Sequence, residues 1–441
     1  AVLRHPATTS WLHLPLSVPS SCAAAPSRRD VVIVGAGPAG ASLGLLLAER
    51  GVRVTLVEAS RSFDRQFRGQ GLMPCGLEAL AQMGLEPLLA DLPQRPLAGW
   101  SFCVNGRELF DAAEPLGSAR PCTLLPQPAL LAALVQRARR QHSFAWMPGE
   151  TVQGLVHQQD GRVGGVRLSG DRVLAADLVI ACDGRASGLR RTAGLPIVSA
   201  PSPIDVLWFR LPAHPRCSAD NRFMVLLGPG GGCSLFPAAE GGELQLGWLV
   251  GPGERITRSP QEWAEAFAAL APAWLAAHVR GNATRVRGPE ALSVQVGSCP
   301  RWHKSGLLLL GDAAHPMSPV RAQGINMALR DTIVAANWLV PPLRQGAGPQ
   351  AIDAVLPRIQ EERQVEIQLA QRAQQAEAAQ GDLLRRRPEL RALLAPLAPL
   401  AGPLVKALWV RRQRLLRDGF LPVRLRVCEH GGTTGSRLLR S

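Results

Sequence analysis

From Asp30 the chain opens an uninterrupted apolar run, DVVIV, that ends in Gly35. Apolar residues then recur at helical spacing from Pro38 to Arg50, and a second strand-like run follows from Arg53 to Glu58. Strand, helix and strand in that order predict a βαβ unit, because two parallel strands need a crossover lying on the sheet. Helical patterns follow at Gly76 to Met83 and at Pro128 to Arg140. Strand-like runs at Thr151 to His157, Gly164 to Leu168 and Leu178 to Ala181 then lead to Asp183.

Between Pro203 and Val250 the pattern changes to short strands separated by glycine turns: Asp205 to Leu211, Arg222 to Leu227, Gly232 to Phe236 and Leu244 to Val250. Strands without crossover helices predict an antiparallel sheet, hence a second domain, closed by a helix from Pro260 to Val279. The apolar run Leu307 to Leu310 and a helical pattern from Ile325 to Val340 return the chain to the first domain. From Ala351 onward the pattern is helical, punctuated at Pro388, Pro396, Pro399 and Pro403. The expected fold class is α/β, a Rossmann-like cofactor domain with an antiparallel-sheet substrate domain and a helical C-terminal region. The expected boundaries are 1–28 for a leader, 29–200 and 291–343 for the cofactor domain, 201–290 for the sheet domain, 344–428 for the helical region and 429–441 for a tail.

The length of 441 residues and the 46% apolar content suit this division. The formal net charge of +15 raises nucleic acid or an anionic surface as partners. The arginines are scattered, however, without the aromatic interleaving that stacks bases, which argues against nucleic acid. A basic surface equally attracts an anionic nicotinamide nucleotide or an acidic substrate. Nine cysteines, odd in number and without a CxxC pair, suggest neither disulfides nor a metal site, so the expected location is cytoplasmic. The first 28 residues read as a targeting stretch or a disordered leader. No later apolar run reaches membrane-spanning length without a charge or a turn. Leu404 to Leu416, with Lys406, Arg411, Arg412 and Arg414, reads as a packing helix with a basic face or as a surface helix in peripheral contact with a membrane.

Gly35, Gly37 and Gly40 form GxGxxG directly after a strand and at a helix start. The first glycine allows the tight turn, the second lets backbone approach a pyrophosphate, and the third allows close packing of helix on strand. Pro38 and Ala39 lie in the same turn, where the helix N-terminus favours an anion. Glu58 ends the second strand, where a carboxylate accepts from ribose hydroxyls. The sequence GLLLLGDAAHPMSPVRAQGINMALRD, from Gly306 to Asp331, forms a strand ending at Gly311-Asp312 and a loop leading to a helix near Gly324. There Asp312 is placed to accept from a sugar-like hydroxyl, and amides at the helix start face phosphate or an electron-rich ring.

These motifs, with DLVIACDGRASGLR from Asp177 to Arg190, resemble the class A flavoprotein monooxygenases related to para-hydroxybenzoate hydroxylase. The resemblance runs from about Arg29 to about Val340. It implies an FAD-binding domain of that type, non-covalent FAD, and NAD(P)H as a transient co-substrate. By resemblance Glu58 binds the FAD ribose, Arg68 reaches the ribityl or phosphate region, Gln127 opens a helix beside the FAD, and Asp183 touches flavin and NAD(P)H. Asp312 binds the ribityl chain, backbone at Gly324, Ile325 and Asn326 meets the isoalloxazine, and Pro319 lines the flavin face. The implied reaction uses O2, through a flavin C4a-hydroperoxide, to hydroxylate or epoxidise an aromatic or unsaturated small molecule.

Arg321 departs from relatives that carry glycine there. It either binds an acidic substrate or NAD(P)H phosphate, or faces water. His315 is a further candidate acid-base group in this loop. Trp208, Arg222, Phe223, Phe236 and Trp248 are candidate walls of the substrate site. The family's substrate-activating tyrosines have no counterpart, since the chain contains no tyrosine. A halogenase would carry a WxWxIP element, which is absent. Two alternatives stay open: a geranylgeranyl-reductase-like enzyme, with Cys75-Gly76 as its suggestive pair, and a non-catalytic FAD-binding protein. Oligomeric state is left open.

Overall fold

Parallel strands rich in apolar residues need cover on both faces; five parallel strands form the core of the first sheet, of which Leu178–Ala181 and Leu307–Leu309 are buried along their whole length. In the computed structural model, which describes residues 30–64, 71–202, 204–240, 242–292 and 294–428, Asp30–Val34 lies at the centre. On one side it pairs with Leu178–Ala181 and then Leu307–Leu309; on the other, with Arg53–Glu58 and then Phe144–Pro148. His303–Lys304 adds an antiparallel edge. The helix Pro38–Glu49 starts with proline in its first turn, where the missing N–H costs nothing, and it is buried over almost its whole length. It packs between the helices Gln127–Ala138 and Gln323–Arg344. The three-stranded antiparallel sheet Val152–His157, Val163–Leu168 and Val173–Ala175 packs beside Leu178–Ala181. The leader and Arg68 lie outside the described residues.

The second sheet has seven strands, in the order Arg287–Leu292, Asp205–Pro212, Glu243–Val250, Gly231–Pro237, Arg222–Gly228, Gly99–Val104 and Arg107–Ala113. All neighbours are antiparallel except Arg222–Gly228 beside Gly99–Val104. The sequence pattern does not predict Gly99–Val104 or Arg107–Ala113, which lie far upstream of the other five. Their turn is Asn105-Gly106, with φ of 50° and 75°, a dipeptide that favours tight hairpins because both residues tolerate the left-handed region. One face of the sheet packs on two helices, Pro260–Leu270 and Ala273–Gly281. A single helix is expected here, but Ala271-Pro272 breaks it: Ala271 is extended, as a residue before proline prefers.

Beyond Gln323–Arg344 the chain forms two long helices, Pro349–Arg386 and Pro388–Asp418. The expected punctuation at Pro396, Pro399 and Pro403 does not interrupt the second, which remains helical through all three. Residues 420–428 then run back over the first domain. Asn337 Nδ2 donates to the Arg424 carbonyl at 2.8 Å, Gln82 Nε2 to Val423 at 3.0 Å, and Arg50 Nε to Val427 at 3.1 Å.

Where Pro349–Arg386 packs against Gln323–Arg344, a fully buried ionic network joins the two helices. Arg330 pairs with Glu366 at 2.8 Å, Arg363 with Asp331 at 2.7 Å and also with Glu366, and Asp331 meets His315 Nε2 at 2.7 Å. Burial alone raises the Asp331 and Glu366 carboxyls. For Asp331 the charges of His315 and Arg363, and for Glu366 those of Arg363 and Arg330, overcome burial and hold both below the usual carboxylate range.

Candidate functional site

A cleft of about 660 Å³ opens along the C-terminal ends of the parallel strands. Val34, Val57 and Cys182 lie at its floor, in the position where open α/β sheets bind ligands. The three glycines of the first motif divide their work as the spacing suggests. Gly35 has φ of +97°, and a Cβ there would lie 2.4 Å from the Cys182 carbonyl oxygen. A Cβ on Gly40 would lie 1.9 Å from the Gly35 oxygen, so this glycine is required for packing. A Cβ on Gly37 would meet nothing within 4 Å, yet Gly37 lines the cleft beside Pro38 and Ala39. Its missing side chain leaves room for a ligand.

Glu58 sits at the cleft wall. Its Oε2 accepts from Ala36 N at 2.9 Å and its Oε1 from Ser60 N at 2.8 Å, which fixes the carboxylate while leaving lone pairs for a ligand hydroxyl. Asp183 Oδ2 accepts from Leu189 N at 3.2 Å, whereas its Oδ1 is buried without a partner. Asp312 has no hydrogen-bond or ion-pair partner among the described residues, and burial raises its carboxyl above the ordinary range. Gln127, in the first turn of Gln127–Ala138, also lines the cleft. Three carboxylates facing one cavity, one with an orphaned oxygen and one with no partner, fit a ligand rich in hydroxyl groups.

The loop from Pro319 to Ile325 joins this cleft to a second cavity. Gly324 and Ile325 line the cleft; Pro319, Val320, Arg321 and Ala322 line an apolar chamber of about 290 Å³. Asn326 is fully buried, and its side chain ties the loop to the strand Gly71–Leu72 region. Oδ1 accepts from Met73 N at 2.9 Å, and Nδ2 donates to the carbonyls of Ala322 at 2.8 Å and Gly71 at 3.2 Å. It lines neither cavity, and its side chain acts by positioning the loop.

The chamber lies between this loop, one face of the seven-stranded sheet and the two C-terminal helices. Trp208 and Phe223 line it, and Phe236 stands behind Phe223, the two rings stacked at 5.1 Å. Trp248 and Arg222 do not face it, because strand residues alternate between faces. Trp248 is packed with Trp263 and Phe267 on the opposite face, and Arg222 pairs there with Asp111 at 2.8 Å. Sequence patterns miss Trp100, Phe102, Phe110 and Trp409, which complete an aromatic wall with ring separations of 4.5 to 6.0 Å. Trp100 and Phe102 are spaced two apart, with Phe110 opposite across Asn105-Gly106, and that pattern carries the signal.

Arg321 neither faces water nor offers a free charge. Its side chain is 7% exposed, paired with Glu377, and stacked 4.5 Å from the Trp100 ring and 4.9 Å from the Trp409 ring. Its own φ is 57° and that of Ala322 is 49°, both in the left-handed region that disfavours a side chain. His315 does not reach either cavity. It is 1% exposed, bound to Asp331 and packed 4.9 Å from Trp302, which makes it part of the buried network instead of an acid-base group at the site. Cys75 also lines neither cavity, and burial pushes its thiol up to about 12.

Comparison with known proteins agrees with this geometry. The family model described as FAD binding domain matches residues 28–372. The 6-methylpretetramide 4-monooxygenase of Streptomyces rimosus is 35% identical over 342 residues, which are 75% of this chain and 80% of that protein. The ubiquinone hydroxylase UbiL of Rhodospirillum rubrum is 29% identical over 342 residues, 73% of this chain and 75% of its own. Among solved structures, PqsL of Pseudomonas aeruginosa in complex with 2-aminobenzoylacetate has the same fold, with a TM-score of 0.70 at 23% identity, covering 84% of this chain and 99% of PqsL.

Proposed function

Because the chain belongs to the FAD-dependent monooxygenases of the para-hydroxybenzoate hydroxylase type, we propose that it uses NAD(P)H and O2 to hydroxylate or epoxidise a neutral, apolar aromatic or unsaturated small molecule. The observation that carries the substrate class is the state of Arg321. A free guanidinium in the chamber would select a carboxylate, but this one is already neutralised by Glu377 and enclosed by two tryptophans. The other basic lining residue, Arg412, lies at the exposed rim. Relatives named for 6-methylpretetramide and ubiquinone are consistent with an aromatic or quinonoid substrate.

The cleft holds FAD with residues suited to each of its parts. Gly35 to Ala39 offer backbone and a helix N-terminus to the pyrophosphate. Glu58 takes the ribose hydroxyls, Asp312 the ribityl chain, and Asp183 uses its unpartnered oxygen on the same ligand. Backbone at Gly324 and Ile325, between the cleft and the chamber, would border the flavin ring, and Pro319 would face it from the chamber side. When bound, FAD supplies two-electron activation of O2: electrons from NAD(P)H reduce O2 so that one oxygen atom enters the substrate and the other leaves as water. The protein orients the substrate against the ring, and the aromatic wall excludes water from the reacting edge.

Purified holoprotein is expected to be yellow. It should consume NAD(P)H faster with naphthol than with hydroxynaphthoate, and place label from oxygen-18 gas in the product. Anaerobic reduction of an isoprenoid double bond, with no label taken from oxygen gas, would assign the protein to the reductase class. A flavin-free protein that takes up no FAD on reconstitution would overturn the cofactor assignment itself.

A further inference from the structure

The helix Pro388–Asp418 presents its apolar residues in the wrong direction for a packing helix. Ala398, Gly402, Trp409 and Leu416 are buried, whereas Leu393, Leu397, Leu400, Leu404, Leu408 and Leu415 are exposed. At 3.6 residues per turn the exposed leucines form one ridge on the side opposite the buried residues. Leu400 is 81% exposed and Leu404 65%. The mean hydropathy of the helix's most apolar window is 1.6, and only 17% of that window is buried. An exposed apolar ridge of this length marks a contact surface.

Charge says what the ridge meets. Arg411 continues the ridge line beyond Leu408, and Arg412 and Arg414 flank it on its two sides, all three exposed. Lys406 is also exposed, and Glu389, at the far end, is the one exposed acid of the helix. A second copy of the chain would bring two arginine-flanked ridges together with almost no acid to oppose them. An anionic bilayer surface satisfies both features at once, with leucines below the headgroups and guanidinium groups among the phosphates.

The other face of the helix rules out a spanning orientation. A Cβ on Gly402 would lie 2.2 Å from the Leu109 carbonyl oxygen, so the helix backbone is seated directly on the sheet. Arg417, 2% exposed, holds both carboxylate oxygens of Glu114 at 2.7 and 2.5 Å. We propose that the Leu393–Leu415 ridge docks the intact enzyme on anionic phospholipid bilayers, with the helix lying flat and its opposite face still packed on the protein.

The test uses full-length holoprotein and co-sedimentation with vesicles of phosphatidylcholine, with or without phosphatidylglycerol. Binding is expected to vesicles containing phosphatidylglycerol, to weaken at least tenfold in the L400E/L404E variant, and to weaken with added salt and in R411Q/R414Q. FAD content and melting temperature should stay unchanged in both variants, because the substituted side chains are exposed. No sedimentation with anionic vesicles at low salt would overturn the proposal, as would unchanged binding by L400E/L404E. It would equally fall if sedimentation velocity showed a wild-type dimer that L400E/L404E dissociates.

Discussion

Gly37 and Gly40 stand three residues apart in one turn, and the absence of a Cβ serves a different purpose at each. At Gly40 the added carbon would meet backbone, which cannot move aside without displacing the turn. Gly40→Ala is therefore expected to destabilise the fold by about 3 kcal/mol or more, at the upper end of overpacking costs. At Gly37 the φ of −70° suits any residue, and the added carbon meets no protein atom. Gly37→Val should leave the apoprotein's melting temperature within a few degrees of wild type while lowering FAD affinity at least about tenfold, equivalent to roughly 1.4 kcal/mol. Thermal melting of the apoproteins and FAD titration separate the two effects. Spacing in the sequence places the three glycines, but which one faces the ligand emerges only from what surrounds each. The same holds for His315: its position in the loop suggests an acid-base group, and only the fold shows Asp331 and Trp302 closing around it.

The short turn at Pro319 to Ala322 is an element that its own residues do not favour. Two non-glycine residues in the left-handed region cost of order 1 kcal/mol each. The contacts that hold them come from far along the chain: Glu377 on Pro349–Arg386, and Trp409 on Pro388–Asp418. Releasing Arg321 should change what the chamber accepts. Glu377→Gln is expected to tighten binding of hydroxynaphthoate about tenfold, the worth of one charge-assisted hydrogen bond at roughly 1.5 kcal/mol. Binding of naphthol should stay flat or weaken, and equilibrium titration of the holoenzyme with both compounds checks the difference. Local pattern reveals the βαβ unit because its first strand is apolar from Val31 to Val34, its second carries Val54, Leu56 and Val57, and its helix is bounded by glycine and proline. It misses the hairpin of Gly99–Val104 and Arg107–Ala113, which joins the sheet through Arg222–Gly228, more than a hundred residues further along the chain. It overstates the prolines of Pro388–Asp418, because packing against the sheet holds that helix together through them.

At the scale of the whole molecule, the helix Pro349–Arg386 is joined to the cofactor domain through the buried network of two carboxylates, two arginines and His315. Breaking one member leaves a buried charge without its partner, and Asp331→Asn should cost about 3–5 kcal/mol. The pH dependence follows from the depressed carboxyls of Asp331 and Glu366. Their folded values lie below their unfolded ones, so their stabilisation is complete above the ordinary carboxylate range and is lost as pH falls through the folded values. The melting temperature should therefore hold from neutral pH down to about 5 and drop steeply below about 4. A melting temperature that rose on acidification through this window would contradict the sign.

The cleft takes Gly35 and Glu58 from the start of the described chain, but Asp312, Gly324 and Ile325 from beyond the entire seven-stranded sheet. A ribosome that has released the chain only as far as Val250 has completed the glycine turn and the strand ends at Val34, Val57 and Cys182, but none of the wall that Leu310 to Ile325 provide. If the cleft binds FAD through these residues as proposed, its capture during synthesis is expected only after Gln323–Arg344 has emerged and folded back. By then every strand of the seven-stranded sheet has already been made.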